Sequence, residues 1–386
     1  MNRPTRKHTV NPAHNYWRAH GGHISSGSSP FTKAVPDNSP MPNCRPTEKH
    51  HPLVSICIAN FNGESILTEC IESVRAQQAY ADCEIIVHDD ASTDASVDLI
   101  RTTFPDARLI VSEQNVGFCV ANNRMVEMAS GKYILLLNND AALLPDAISS
   151  LIGTAESQEV GGILTLPQYD WVSGELVDRG CFLDPFYNAI PSLSPGVNDV
   201  GYVIGACLWI PRSLWQRIGG FPEWMGSIGE DVYVGCVTRL LDLPVRSLDS
   251  SGYLHRQGAS FGGNRVVSGK LESSYRRRFL GERNRLCLQL CCTPGWSAWP
   301  MTIVHATALL LEGMILAVWL RDSRPLRKIY IAAILGFLGL RAQVSELRRQ
   351  IQALRKINVT GYLRGFRFLP QKLRLLRRHG KPDLVD

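Results

Sequence analysis

KYILLLNNDA, residues 132–141, runs five apolar residues in succession directly into Asn138, Asn139 and Asp140. A run of that length without helical period, closed by polar residues, predicts a strand buried on both faces. Open parallel sheets bind ligands at the carboxyl ends of their strands, so the triplet falls where a site belongs. Two further stretches end in the same way. VSICIA (54–59) stops at Asn60-Phe61-Asn62-Gly63, and EIIV (84–87) stops at His88-Asp89-Asp90. Three apolar strands that each deliver carboxamides or carboxylates predict a ligand with several polar groups, and a metal ion with it.

Working outward, strands alternate with helices. Residues 64–76 place Ile66, Leu67, Cys70, Ile71 and Val74 on one face of a helix, with Asn62 as its N-cap. A second helix opens at Ser92-Thr93-Asp94, a strand covers 107–111, and a helix over 116–129 stops before Gly131. Repeated β-α-β units of this length predict a doubly wound, mostly parallel α/β sheet with right-handed crossovers. Further strands are expected over 161–166 and 202–210, separated by a partly ordered connection at 167–200. A short helix over 211–218 ends at Gly219-Gly220, and a helix over 231–241 is headed by Glu230-Asp231.

With 386 residues, 45% of them hydrophobic and 20% charged, the chain has material for more than one domain. Its net charge of +6 is unevenly placed. Residues 321–386 hold 16 Lys and Arg against 4 Asp and Glu, leaving 25 against 31 in the first 320. A basic tail on an acidic body points to an anionic surface, either lipid or nucleic acid. The eleven cysteines are odd in number, form no zinc-type CxxC pair and follow no signal peptide, which predicts a reducing cytosol. Cys57, Cys119, Cys207 and Cys236 read as small core residues. The Cys291-Cys292 pair reads as packing, with acylation as the alternative. Residues 1–51, rich in Pro, Ser, Asn and His, predict a disordered arm whose His8, His14, His20 and His23 lack the spacing of a ligand set.

Near the other end, 301–320 is long enough to cross a bilayer but contains His305 and Glu312. A central carboxylate costs about 2.5–3.5 kcal/mol on insertion scales, so crossing is disfavoured. The apolar stretch 329–340 is too short to cross. Val344, Leu347, Ile351 and Leu354 then recur at helical spacing opposite Arg348, Arg349, Arg355 and Lys356. Leu363, Phe366, Leu369, Leu373 and Leu376 continue the mixture. These read as amphipathic helices lying on an anionic membrane, the alternative being a stripe packed on the rest of the protein. Leu and Phe interleaved with Arg suit lipid better than a nucleic-acid groove.

Taken in order, VSICIANFNG, IIVHDDASTD, NVGFCVANNRMVEMASGKYILLLNNDA, GYVIGACLWIPRSLWQRIGGFPEWMGSIGED and HRQGASF resemble the family 2 glycosyltransferases. Within that family the LNND form and the basic, hydrophobic C-terminus look most like the bacterial rhamnosyltransferase branch. The resemblance covers about residues 52–285. It implies the GT-A fold, a Rossmann-like nucleotide-binding half joined to an acceptor half, over 52–285. Residues 286–386 are then a basic, helical, membrane-associating region. The implied activity is inverting transfer of a sugar from a nucleotide-sugar donor, with dTDP-rhamnose favoured over UDP-galactofuranose, UDP-galactose and UDP-glucose. The implied acceptor is a lipid-linked glycan of cell-surface polysaccharide synthesis at the cytoplasmic face of the membrane.

Residue by residue, the resemblance assigns the nucleoside to Asn60, Asn62, Asp89 and Asp90, and the shaping of the donor pocket to Asn115, Gly117 and Asn123. Arg124 stands where the family usually has Gly, and Pro222 where it usually has Asp. The metal motif aligns with Asn138, Asn139 and Asp140. Because Asn replaces its first carboxylate, Asp140 remains as the ligand for Mg²⁺ or Mn²⁺, with His255 reaching the metal or diphosphate. Asp231 matches the catalytic base and Glu230 its neighbour, which would orient it or hold the acceptor. Each feature also has a plainer reading: an Asx turn for Asp89-Asp90, a strand-ending loop for the NND triplet, a charged helix start for Glu230-Asp231, a packed histidine for His255. Competing classes fit less well. A nucleotidyltransferase needs a glycine-rich basic phosphate loop where this chain has ANFNGES, and a dinucleotide oxidoreductase needs an absent GxGxxG. A non-catalytic membrane-surface scaffold would not need Asp89, Asp140 and Asp231 together.

Overall fold

Residues 133–138 form the strand at the centre of the sheet, β4 (Tyr133–Asn138), buried from its first residue to its fifth. The computed structural model describes residues 51–157, 161–257, 263–267, 270–380 and 383–385; of the expected arm at 1–51, all but His51 lies outside them. β4 pairs in parallel with β1 (Val54–Asn60), which pairs in parallel with β2 (Cys83–Asp89) and that with β3 (Arg108–Val111). On its other edge the direction reverses. β11 (Cys207–Pro211) runs antiparallel to β4 and to β6 (Ile163–Thr165), and β12 (Val245–Ser247) closes the sheet parallel to β6. The order of the seven strands is therefore β12-β6-β11-β4-β1-β2-β3.

Side chains alternate across this sheet as the pleat requires. Leu135 and Leu137 join Ile56 and Ile58 in one core layer, under α1 (Leu67–Arg75) and α4 (Ala147–Ser157). Ile134 and Leu136 face the other layer with α3 (Phe118–Met128), α5 (Arg212–Ile218) and α6 (Glu230–Leu240). A fully buried strand has apolar residues on both faces, which is why its sequence shows no alternation.

The stretch 167–200, expected as a partly ordered connection, is built from four short strands. β7 (Gln168–Asp170) and β8 (Leu176–Asp178) join β5 (Ala141–Leu143) and β13 (Tyr253–His255) in a second sheet of order β5-β13-β7-β8, while β9 (Cys181–Leu183) pairs with β10 (Ala189–Pro191). Only Cys207–Pro211 of the strand expected over 202–210 is regular, Tyr202 contributing an isolated bridge to Cys181. The helix at 64–76 begins at Leu67 without a side-chain cap. Asn62 instead sits at φ 49° and accepts the Thr93 N–H through Oδ1 at 2.8 Å. α2 (Ser96–Thr103) follows the Asp94 turn, in which Oδ1 accepts the Ser96 N–H.

Beyond β13 a hairpin of β14 (Gly263–Val267) and β15 (Lys270–Ser274), which β16 (Asp383–Val385) joins in parallel, leads into a mostly helical region. α7 (Tyr275–Cys292) is buried along most of one side, and α8 (Ala298–Leu320), a π-helical segment Leu326–Ile331, α9 (Ala332–Gly339) and α10 (Arg341–Ala353) pack around it. The stripe expected to face lipid on α10 does not do so. Val344 and Ile351 are buried in the core shared with α6 and α7, and Leu347 and Leu354 pack against it. Arg348 lies beside them because its guanidinium donates to the carbonyls of Leu290, Thr293 and Gly295 at the end of α7. Cys291 and Cys292 are fully buried with their sulfurs 3.5 Å apart, which removes them from acylation, and the ten described cysteines are all free thiols.

Candidate active site

The carboxyl ends of β1, β2 and β4 are tied to each other by side chains. Asn60 donates to Asp89 Oδ2 at 2.9 Å and accepts from Asn139 Nδ2 at 2.8 Å. Asp89, with no exposed surface, also accepts from the Ser92 amide and hydroxyl at 3.0 and 2.7 Å. Gly63 makes this possible: a Cβ there would lie 2.1 Å from Asn60 Oδ1 and 2.6 Å from Asn139 Nδ2. Asp90 turns the other way. Its two oxygens accept the Val116 and Gly117 amides at 2.7 and 2.9 Å, and its carbonyl accepts from Asn115 at 3.3 Å, which fixes the approach to α3. Gly117 takes φ 87° there, a conformation glycine adopts without strain. Asn62, Asn115 and Gly117 thus stand on the loops rimming the three strand ends. Asn123 serves elsewhere, bracketing the Phe221 backbone with Nδ2 and Oδ1 at 2.9 Å each. Arg124 donates to Ser112 Oγ at 2.9 Å.

Asp140 follows β4 at 3% exposure, and β13, paired antiparallel with β5, brings His255 opposite Ala141. Nε2 of His255 lies 3.1 Å from Asp140 Oδ1. Its Nδ1 faces Gln168 Oε1 at 3.3 Å, and Tyr253 OH donates to the same oxygen at 2.7 Å. An amide oxygen only accepts, so Nδ1 carries a proton and Nε2 is the nitrogen turned to the carboxylate. A carboxylate oxygen and an imidazole nitrogen converging this way, with the ring held from behind, are two donors suited to a divalent cation. Among the described residues no group of three or more His, Cys, Asp or Glu is arranged to hold a metal ion, so the remaining positions would fall to ligand oxygens and water.

Glu230 and Asp231 head α6. The chain reaches them through Gly226, Ile228 and Gly229, all at positive φ (71°, 71° and 100°). For a β-branched residue that geometry is strained by about 1–3 kcal/mol, so something must hold it. Two residues of α7 do. Asn284, buried, donates to the carbonyls of Met225, Ser227 and Ile228 at 3.2, 3.1 and 2.7 Å, and Arg283 donates to those of Trp224 and Met225 at 3.2 and 3.0 Å. Asp231 in turn accepts the Val232 amide at 2.7 Å and the Gly205 amide at 3.2 Å. The next residue, Ala206, accepts the Asn138 amide at 3.0 Å. Gly205-Ala206 therefore sets Asp231 beside the end of β4.

Burial and the neighbouring Asp231 push the Glu230 carboxyl up to about 8, while Arg277 on α7 opposes them. Its Oε2 is buried without a hydrogen-bonding partner among the described residues. Burial likewise raises Asp231, against amide hydrogen bonds that favour its anion. One negative charge shared by the pair is the stable state near neutrality. Asp178 on β8, buried and pushed up to about 6 by desolvation, feels both His255 and Asp231. Sequence reading missed Asp178, Arg283 and Asn284. An Arg-Asn pair inside the apolar helix LGERNRLCLQLCC was the available signal for the last two, and Asp178 in a turn-rich stretch gave none.

Comparison with known proteins gives a consistent result. Residues 55–217 match the family described as Glycosyl transferase family 2. The UDP-Glc:alpha-D-GlcNAc-diphosphoundecaprenol beta-1,3-glucosyltransferase WfaP of Escherichia coli is 33% identical over 135 residues, 34% of this chain and 52% of that protein. Three other curated relatives are covered over 24%, 34% and 49% of their length, so the chain spans about a quarter to a half of them. Among solved structures, residues 1–349 of S. aureus TarS superpose with a TM-score of 0.50 at 16% identity, over 82% of this chain and 93% of that one. GalNAc-T7 with UDP, GalNAc and Mn²⁺ superposes with 0.58 at 13% identity, over 86% and 60%. At those identities the likeness is one of fold, and the fold is GT-A.

Proposed function

We propose, from the match of residues 55–217 to the glycosyl transferase family 2, that the protein transfers a sugar, with inversion, from a nucleotide-sugar donor to a lipid-linked glycan acceptor of cell-surface polysaccharide synthesis. The observation that supports this most is the Gly205-Ala206 link, which holds Asp231 beside the end of β4, where Asp140 follows and meets His255 of β13. An acceptor hydroxyl beside Asp231 loses its proton to that carboxylate while its oxygen attacks the anomeric carbon from the face opposite the diphosphate. One displacement inverts the centre, and no covalent nucleophile is required. Glu230, protonated near neutrality, keeps the charge of the pair on Asp231. The Val232 amide in the first turn of α6, which donates to Asp231, favours that anion.

Asp140 and His255 are the residues that would hold Mg²⁺ or Mn²⁺ against the diphosphate. Bound there, the ion offsets the charge developing on the leaving group. The Asn60–Asp89–Asn139 network shapes the nucleoside side, with Asn62, Asn115 and Gly117 on its rim and Asp90 bracing the last two. In this reading 52–285 is the catalytic part and 286–386 holds it to the cytoplasmic face of the membrane. The favoured donor is dTDP-rhamnose. WfaP, by its name, uses UDP-Glc on a diphosphoundecaprenol-linked sugar, which supports the lipid-linked acceptor and keeps UDP-hexoses in the panel.

The test is thermal stabilisation by dTDP-rhamnose, UDP-galactofuranose, UDP-galactose and UDP-glucose, with and without Mn²⁺, followed by transfer to a polyprenyl-diphosphate sugar. One donor should stabilise the protein more with Mn²⁺, and Asp140→Ala should lose that increment and turnover together. Failure of every donor to bind or transfer would favour the scaffold reading. Unchanged metal dependence in Asp140→Ala would remove Asp140 from the metal site.

A further inference from the structure

α8 is inside out for a surface helix in water. Its buried residues are Ala298, Thr302, His305, Leu309, Gly313 and Leu316, while Ile303, Val304, Leu311, Ile315 and Val318 stand 64%, 58%, 51%, 65% and 80% exposed. These five share one face at helical spacing, so the apolar strip is continuous along the helix. Of the two residues that count against a lipid-facing helix in the sequence, His305 is turned inward and Glu312 lies on the flank, its side chain 34% exposed and tied to its neighbours. His305 Nδ1 meets Gln289 Oε1 of α7 at 3.0 Å. Glu312 accepts from Tyr330 OH at 2.8 Å and pairs with Lys372 at 2.6 Å, and Lys372 pairs with the fully buried Glu282 of α7 at 2.9 Å.

Lys372 lies on α11 (Gln371–His379), so its bridge sets that helix beside α8. Leu373 and Leu376 of α11, with Phe368 and Leu369 just before it, are exposed apolar residues accompanied by Arg374, Arg377 and Arg378. At the end of α8 follow Arg321, Arg324, Arg327 and Lys328, and before it stands Trp296, 83% exposed. A strip of this length exposed on a soluble protein is an interaction surface. The basic residues bordering it select an anionic bilayer over an apolar protein partner.

We propose that the outer face of α8, together with the exposed leucines of α11, docks on an anionic lipid bilayer with the axis of α8 in the membrane plane. α8 is long and apolar enough to cross a membrane. A crossing orientation, however, would carry Glu282, Arg285, Glu312 and Lys372, which lie beside its middle, into hydrocarbon, and charges are expelled from there. In the plane the strip meets acyl chains and that network stays with the protein. The inference deepens the membrane reading above: it keeps the expected contact at Leu369, Leu373 and Leu376 and moves the rest of it from α10, whose stripe is buried, to α8.

The experiment is flotation of the full chain with phosphatidylcholine vesicles and with vesicles containing about a third phosphatidylglycerol. Native protein should float with the anionic vesicles, lose binding as salt rises, and be released by alkaline carbonate. Ile315→Asp and Val318→Asp should each lower the partition coefficient by roughly tenfold or more. Val172→Asp, at an equally exposed valine in the turn after β7, should not. Donor-dependent thermal stabilisation measured on the same samples should be unchanged, so loss of vesicle binding and loss of the transferase reading register separately. Wild-type flotation by both α8 variants would overturn the proposal, as would resistance of native protein to carbonate. So would native dimers that the substitutions convert to monomers without either form binding vesicles, since a second copy would then cover the face.

Discussion

Asn284→Ala should loosen the loop that delivers Glu230 and Asp231. The native amide has two N–H groups and three carbonyls to serve, at 3.2, 3.1 and 2.7 Å, in a site 1% exposed. Two net hydrogen bonds at about 0.5–1.5 kcal/mol each, with the cost of leaving buried carbonyls unpaired, give a loss of roughly 2–4 kcal/mol. For a unit of this size that is a fall in Tm of several degrees. Asn284→Asp sharpens the test, because it keeps the volume but replaces both donors with acceptors facing three carbonyl oxygens. It should lose at least as much stability at neutral pH and regain part of it as acid returns a proton to the carboxyl. Urea unfolding of the three proteins at two pH values, with donor turnover alongside, reads both effects. Ile228 at φ 71° has no other described side chain bonded to its carbonyl, so turnover should fall more than donor affinity. An Asn284→Asp protein as stable as native at neutral pH would refute the reasoning.

Asp231→Asn keeps the shape of the base and removes its proton acceptor, so kcat should drop by roughly 10²- to 10⁴-fold with little change in donor affinity. Lost donor binding with near-native residual turnover would make Asp231 a binding residue instead. Glu230 is raised from 4.5 to about 8 in the folded protein. A raised carboxyl lends stability that is complete below its unfolded value and is lost as pH climbs through the folded one. Native stability should therefore decline between those values, and Glu230→Gln should flatten the curve; an equally steep decline in the variant would assign it to another group. Gly63→Ala puts a methyl 2.1 Å from Asn60 Oδ1 and should break the Asn60–Asn139 bond at a cost of about 1–3 kcal/mol, seen as lower Tm and weaker donor stabilisation. A variant with native Tm and donor response would show that the strand ends need no such closeness.

KYILLLNNDA determined its own strand because backbone pairing and burial on both faces are written in five consecutive apolar side chains. The same local logic placed β1, β2, α3 and α6, and put Asn60, Asp89, Asp140 and Asp231 at the ends of elements. Sequence order also carried the resemblance to the family whose model matches residues 55–217, since five spaced motifs mark what no single one does. Tertiary structure decided what those ends are bonded to. His255 reaches Asp140 only because β13 returns antiparallel to β5, and Asn284 reaches the carbonyls before Glu230 only because α7 packs beside α6. The two amphipathic readings separated for the same reason. A helical stripe states that two faces differ, and not which one meets protein. On α10 the apolar side is buried by α6 and α7. On α8 His305 is hydrogen-bonded inward and Glu312 is tied along the flank, which leaves isoleucine and valine outside. Partners for buried polar groups come from distant parts of the chain, and only the packed fold brings them within reach.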